Sequence, residues 1–216
     1  MSDTEWPETI QERRAHRLND PRSRAVDTLI RAGRKADIDA LYDSVGTQAQ
    51  AAYRSIEEDS TRSDTWKQEQ LDQEYERVKT SVADRLVSMA RDAEHDDQRD
   101  ATRVFGSAGL PGDAASLAIS ARDAADRVAT ADADDLRDLL DRATRMDDEV
   151  LARAVVRRAI DEGAAKVVND FTERRPELLD ATERLWDRAR RSDQTGFGST
   201  FQSLAIMPPG RTGWTR

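Results

Sequence analysis

Apolar residues recur along this chain at helical spacing, and the strict alternation of a half-buried strand is absent. Two ladders dominate. Ile38, Tyr42, Val45, Ala49, Ala52 and Ile56 step by 4, 3, 4, 3 and 4, the seam of a heptad helix. Leu71, Tyr75, Val78, Val82, Leu86, Met89 and Ala93 step by 4, 3, 4, 4, 3 and 4, and the doubled 4 is a stutter that relaxes left-handed supercoiling. Thr47 to Phe105 contains neither Gly nor Pro, so as one helix it would reach roughly 85 Å. Between the ladders, however, the extrapolated seam falls on Ser60, Ser63 and Lys67. The local run EEDSTRSDTW is rich in N-capping residues, with Thr65 and Gln68 at capping-box spacing. The pattern predicts a helix ending near Asp59 and another starting near Thr65, folded as a hairpin, with a continuous rod as the alternative. Tyr42, Tyr53 and Tyr75 make the seam irregular for a two-stranded zipper.

The remaining segments follow the same period. Residues 1–21 form an N-terminal arm with a weak stripe at Ile10, Arg14 and Leu18, stopped by Asn19-Asp20-Pro21. Residues 22–35 read as a short helix with Val26, Leu29 and Ile30 inward, ended or bent by Gly33. The polar run Arg91–Asp100 (RDAEHDDQRD) is expected to be exposed or frayed. GSAGLPGD, residues 106–113, is the clearest break and is read as a linker. Asp113 then caps a helix with Leu117, Ala121, Ala124 and Val128 on one face. Asp132 opens another, with Leu136, Leu139, Leu140 and Ala143. Asp147 and Asp148 start a third, running to Phe171 with a bend at Glu162-Gly163. Pro176-Glu177 opens the last, with Leu178, Leu185, Trp186 and Ala189 inward. Residues 114–191 thus read as an antiparallel bundle of about four helices.

The fold class that follows is all-α: a long, coiled-coil-like helical hairpin over 22–105, a linker at 106–113, a small bundle over 114–191, and an extended C-terminal tail over 192–216. The tail differs in kind. From Gln194 to Gly210 it carries no charge, in a chain that is 36 % charged. Phe197, Phe201 and Leu204 stand at i, i+4 and i+7, followed by Ile206, Met207 and Trp214. These six residues are the expected partner-binding set, either packed back on the chain's own helices or docked on another subunit.

Composition narrows the function. Charged and apolar residues are nearly balanced, at 36 and 37 %, which suits long solvated helices better than one compact core. The net charge of −9 opposes wholesale binding of nucleic acid. Only four of the 34 basic residues are Lys. Absence of Cys removes disulfides, thiolate zinc ligands and thiol nucleophiles. The acidic N-terminus has no signal-peptide character, and no run approaches a membrane span. The cytoplasm of the producing cell is the expected site.

Candidate chemistry is sparse. His16 and His95 are the only histidines. Asp92 and His95 have the i, i+3 spacing of a carboxylate–His metal pair, but their neighbours Glu94, Asp96 and Asp97 make a solvated face. The acidic groups Asp132, Asp134, Asp135 and Asp147, Asp148, Glu149 sit at helix starts, where acids complement the dipole. GSAGLPGD lacks the Lys and hydroxyl residue of a phosphate loop. No cofactor or metal is expected, and no enzymatic activity. Arg153, Arg157, Arg158, Arg174, Arg175, Arg184, Arg188, Arg190 and Arg191 are interleaved with acids, as salt-bridged helix faces are.

Ala/Asp/Arg-rich helices without Cys, interrupted heptads and the tail GFGSTFQSLAIMPPGRTGW give a chain that resembles helical structural and assembly proteins of actinobacterial phages, the scaffolding or capsid-associated accessories. The resemblance implies a virion or capsid-assembly role, a capsid or other virion subunit as partner, and a homo-oligomer, located in the producing cell or the virion. A regulatory protein- or nucleic-acid-binding module is the alternative, and a helical metal-carboxylate enzyme a third.

Overall fold

The computed structural model describes residues 20–191 together with Ile206 and Pro208. Among these residues there are eight α-helices and no strand: α1 Pro21–Arg31, α2 Lys35–Glu58, α3 Asp64–Phe105, α4 Ala114–Val128, α5 Ala133–Arg145, α6 Glu149–Glu162, α7 Ala165–Glu173 and α8 Leu179–Arg191, with a 3-10 turn at Pro176–Leu178 before the last. The all-α expectation holds. The chain divides into two compact units, Met1–Ala93 with Gln194–Arg216, and Glu94–Asp193. The division lies inside α3 and not at residues 106–113, because the last turns of α3 bury Val104 in the second unit's core.

In the first unit, α1 begins where the sequence reads a stop. The Asp20 carboxylate accepts hydrogen bonds from the backbone N–H of Arg22 and Ser23 at 3.3 and 3.1 Å, and Pro21 occupies the first turn, where its missing N–H costs nothing. The helix ends as Gly33, at φ 75°, donates to Ile30 O while Arg34 N–H donates to Leu29 O, a Schellman closure that favours glycine. A break separates α2 from α3, as expected, but one residue earlier. Ser63, not Thr65, is the cap, its hydroxyl accepting from Trp66 N–H at 3.3 Å. Lys67 Nζ donates to Glu57 O at 2.7 Å and Arg34 donates to Met89 O at 3.4 Å. These bonds tie the end of α2 to the start of α3 and the start of α2 to a later turn of α3.

The ladders bury largely as drawn, with Ile56 half-buried and two positions shifted. In α2 the inward position is Tyr53 rather than Ala52, and in α3 it is Ala90 rather than Met89, with Tyr75 half-buried. A 3.6-residue helix drifts against a 3.5-residue seam, so the innermost position slips by one within a few turns.

The second unit is organised around α6, which packs against α4, α5, α7 and α8. Its Leu151, Ala152, Val155, Val156, Ala159 and Ile160 are all buried, and Phe171 of α7 is the largest fully buried side chain of this unit. Three of the expected boundaries move. Gly163, at φ 76°, ends α6 outright: its N–H donates to Ile160 O and Ala164 N–H to Ala159 O, so the helix read as running to Phe171 is two. The last helix is entered through the 3-10 turn, and its most buried residues are Ala181 and Thr182, while Leu185, Trp186 and Ala189 are half-buried. Asp147 closes α5 and does not start α6. It sits at φ 53° with Asp148 N–H donating to Ala143 O, and Asp148 alone caps α6 through Leu151 N–H. A left-handed conformation is unfavourable for a residue with a Cβ. Asp147→Gly is therefore expected to stabilise the protein by about 0.5–1 kcal/mol, read as a higher urea midpoint at unchanged m.

The polar run Arg91–Asp100 is neither frayed nor wholly exposed. It is continuous helix, Ala93 is buried, and Asp100 is only 6 % exposed. Asp100 accepts two hydrogen bonds of 2.7 Å from Arg184, and Asp97 pairs with Arg188, which fastens this part of α3 to α8. A composition-based reading cannot tell a solvated face from one whose charges are matched across a helix interface.

Candidate functional site

Two places combine apolar surface with polar groups that orient what lies on it. The first is in the first unit. Ile206, one of the six tail residues expected to bind a partner, is 1 % exposed in the same core cluster as Leu29, Tyr42, Tyr53, Val82 and Leu86. The Tyr53 hydroxyl donates to the Ile206 carbonyl at 2.8 Å, and Pro208 is buried beside it in sequence. Tyrosine suits this position because its ring packs on the helices while its hydroxyl reads a polar atom. Backbone recognition of an apolar segment by a helical core is what this arrangement achieves. Phe197, Phe201, Leu204, Met207 and Trp214 lie outside the described residues, as does the arm before Asn19-Asp20.

The second is a groove of about 430 Å³ in the second unit, between α4 and α6. Ala121, Ala125 and Val128 of α4 and Val150 and Ala154 of α6 line it, together with Phe105 and Leu110. Small residues let the helices approach closely and leave a shallow channel above them. Of the α4 face read as inward, Ala124 and Val128 are buried, Leu117 is half-buried and Ala121 stays exposed in the groove. Arg153, Arg157 and Arg158 also line it. Arg157 lies 5.7 Å from the Phe105 ring centre, and Arg158 pairs with Glu162 at 2.6 Å.

Arg153 is held from both sides. It donates to Glu149 at 3.3 Å and to the Gly106 carbonyl. Glu149 also accepts from Arg175 at 2.6 Å, and Arg175 lies over the Phe171 ring, 4.5 Å from its centre. Burial pushes the Glu149 carboxyl up, but Arg175 and then Arg153 outweigh it and hold the group below its ordinary range. The interleaved Arg residues are salt-bridged largely as the sequence suggests: Arg174 meets Asp141 at 3.0 Å and Arg191 meets Asp187 at 2.9 Å. Arg190 instead lies over Trp186 at 4.8 Å.

Among the described residues no three His, Asp or Glu side chains gather as metal ligands, and His95 is exposed. Among the same residues no helix is long and apolar enough to cross a membrane.

Compared with protein-family models, curated proteins and solved structures, the chain matches none.

Tyr53 is the residue sequence reasoning passed over, treating it as a flaw in the seam. Its signal was there: a hydroxyl at a seam position must find an acceptor when buried. The Phe105–Arg157 contact had no such signal, since it joins residues far apart in the chain.

Proposed function

We propose that this chain is a non-enzymatic structural and assembly protein, of the virion or capsid-assembly kind, that works through helix-mediated self-association and by docking its C-terminal segment into a helical seat. The observation that carries the reading is Ile206, a tail residue lodged at 1 % exposure in a helical core and fixed through its backbone by Tyr53. An uncharged, aromatic tail is a poor solvating element for an acidic protein, and a segment that enters a core is a connector. Salt-bridged faces on α3 and α8 keep the remaining helix surfaces soluble. The expected partners are a second copy and a capsid or other virion subunit.

The α4–α6 groove favours a second reading, a regulatory module that binds a helix from another protein, with Arg157, which lines the groove against Phe105, available to that partner's carboxylates. Light scattering across concentration separates the two. Self-assembly predicts a mass that climbs above 24.2 kDa as concentration rises; a constant monomer mass sinks it and leaves the module.

A further inference from the structure

We infer that a cup in the second unit, formed by α3 and Arg153 of α6, binds a small phosphate, free or esterified, with Arg103 and Arg153 as its chief anion contacts. The inference goes beyond the assembly reading and does not depend on it.

Helical spacing builds one wall. His95, Gln98, Arg99, Thr102 and Arg103 stand at i, i+3, i+4, i+7 and i+8 of α3, which puts them on one face. They open on a cavity of about 650 Å³ that Arg153 of α6 also lines. Three guanidinium groups and an imidazole thus line one space in a chain of net charge −9. Glu177 is the single carboxylate among the lining residues.

A guanidinium whose charge is already matched gains little from an added anion, so the pairing of each one decides what the cup can hold. Elsewhere in this unit arginines meet carboxylates: Arg158 with Glu162, Arg174 with Asp141 and Arg184 with Asp100. Arg103 differs. It donates to the backbone carbonyl of Glu177, and no described carboxylate pairs with it. A carbonyl orients the planar fork without cancelling its charge. Arg153 is fixed the same way by the Gly106 carbonyl. Its carboxylate partner, Glu149, also serves Arg175, so one negative charge is divided between two positive ones. Arg99 pairs with Asp96, but both side chains are more than half exposed, and such a pair is weak. The cup therefore holds excess positive charge on oriented donors. A phosphate matches it: at neutral pH a phosphate group carries close to two negative charges, and it takes guanidinium forks two bonds at a time. The Thr102 hydroxyl is spent on the Gln98 carbonyl, while the Gln98 amide and the His95 ring are exposed and add donors. Ala108 and Leu178 give the organic part of an ester a short apolar wall.

NMR titration of the full chain with inorganic phosphate, at constant pH and ionic strength, tests the cup. The His95 ring signals and the amides of Gln98 and Arg103 are expected to shift together and to saturate, with a Kd on the order of mM. Arg103→Gln should weaken binding about tenfold, the worth of a hydrogen bond to a charged group. Glu177→Gln removes the opposing carboxylate and keeps the carbonyl that holds Arg103, so it should tighten binding about threefold. A gain of binding cannot come from misfolding, which keeps the test decisive even where Arg103→Gln fails to fold. Arg157→Gln removes the same charge from the neighbouring groove and should change the Kd by less than about twofold, because salt screens distant charges. Glycerol phosphate titrated in parallel names the source. Tighter binding than inorganic phosphate assigns the cup to an ester whose organic part meets Ala108 and Leu178, and equal or weaker binding assigns it to the free ion. Shifts that never saturate, equal weakening by Arg157→Gln and Arg103→Gln, or a Glu177→Gln protein that binds no tighter than wild type would each overturn the site.

Discussion

Phe171→Ala lowers the stability of the second unit by about 3–5 kcal/mol, the cost of deleting a fully buried aromatic ring. Phe171 has no exposed surface and belongs to the cluster built on α6. Its removal leaves a void in that cluster, and the cost rises with however much of the void stays unfilled. The ring also supports Arg175 from below, and that guanidinium is the main partner of Glu149, so the substitution loosens the groove lining as well. Hydrogen exchange reads the outcome by region. Protection of the α6 amides around Val155 should fall by several orders of magnitude, while Leu86 in the other unit keeps its own. Uniform loss along the whole chain would contradict the division into separately compact units.

Glu149→Gln is expected to cost about 1–2 kcal/mol, between an exposed and a buried ion pair, because Glu149 itself keeps 26 % side-chain exposure. Both partners are mostly covered, with side-chain exposures of 14 % for Arg153 and 13 % for Arg175. An amide in place of the carboxylate leaves two guanidinium groups facing each other with no anion between them. The same pairing sets a pH dependence. Because the folded-state pKa of Glu149 lies below its ordinary value of 4.5, the stabilisation is fully present above pH 4.5 and is lost as pH falls through the folded-state value. Urea titrations from pH 7 downward should show wild type and E149Q converging as the wild type protonates. A constant gap between them would mean that the carboxylate's charge is not what the arginines require.

Secondary structure was legible because it depends on neighbours in the chain. The two ladders, the cap residues Asp113 and Asp132, and the break before Ser63 each act over three or four residues, and those helices stand close to where the signals put them, whereas Asp20, read as a stop, caps the first helix. Helix ends were less legible. Asp147 and Gly163 carry the same closure, but aspartate is also a good cap, and only the φ angle reveals which it is.

The candidate sites divide the same way. That Ile206 belongs to a segment unlike the rest could be read from seventeen uncharged positions, Gln194 to Gly210, in a highly charged chain. Where Ile206 goes could not, because its seat is assembled from α1, α2 and α3, far away in sequence.

By itself, then, the order of residues determined that this protein is helical, where most of its helices lie and which faces are apolar, since periodicity and capping are local. Tertiary structure alone decided that Asp100 is an anchored carboxylate, that Tyr53 meets Ile206, and that α4 keeps part of its apolar face open. Each of those outcomes depends on which surfaces meet across long stretches of chain, and burial and charge pairing are properties of the meeting, not of the residue.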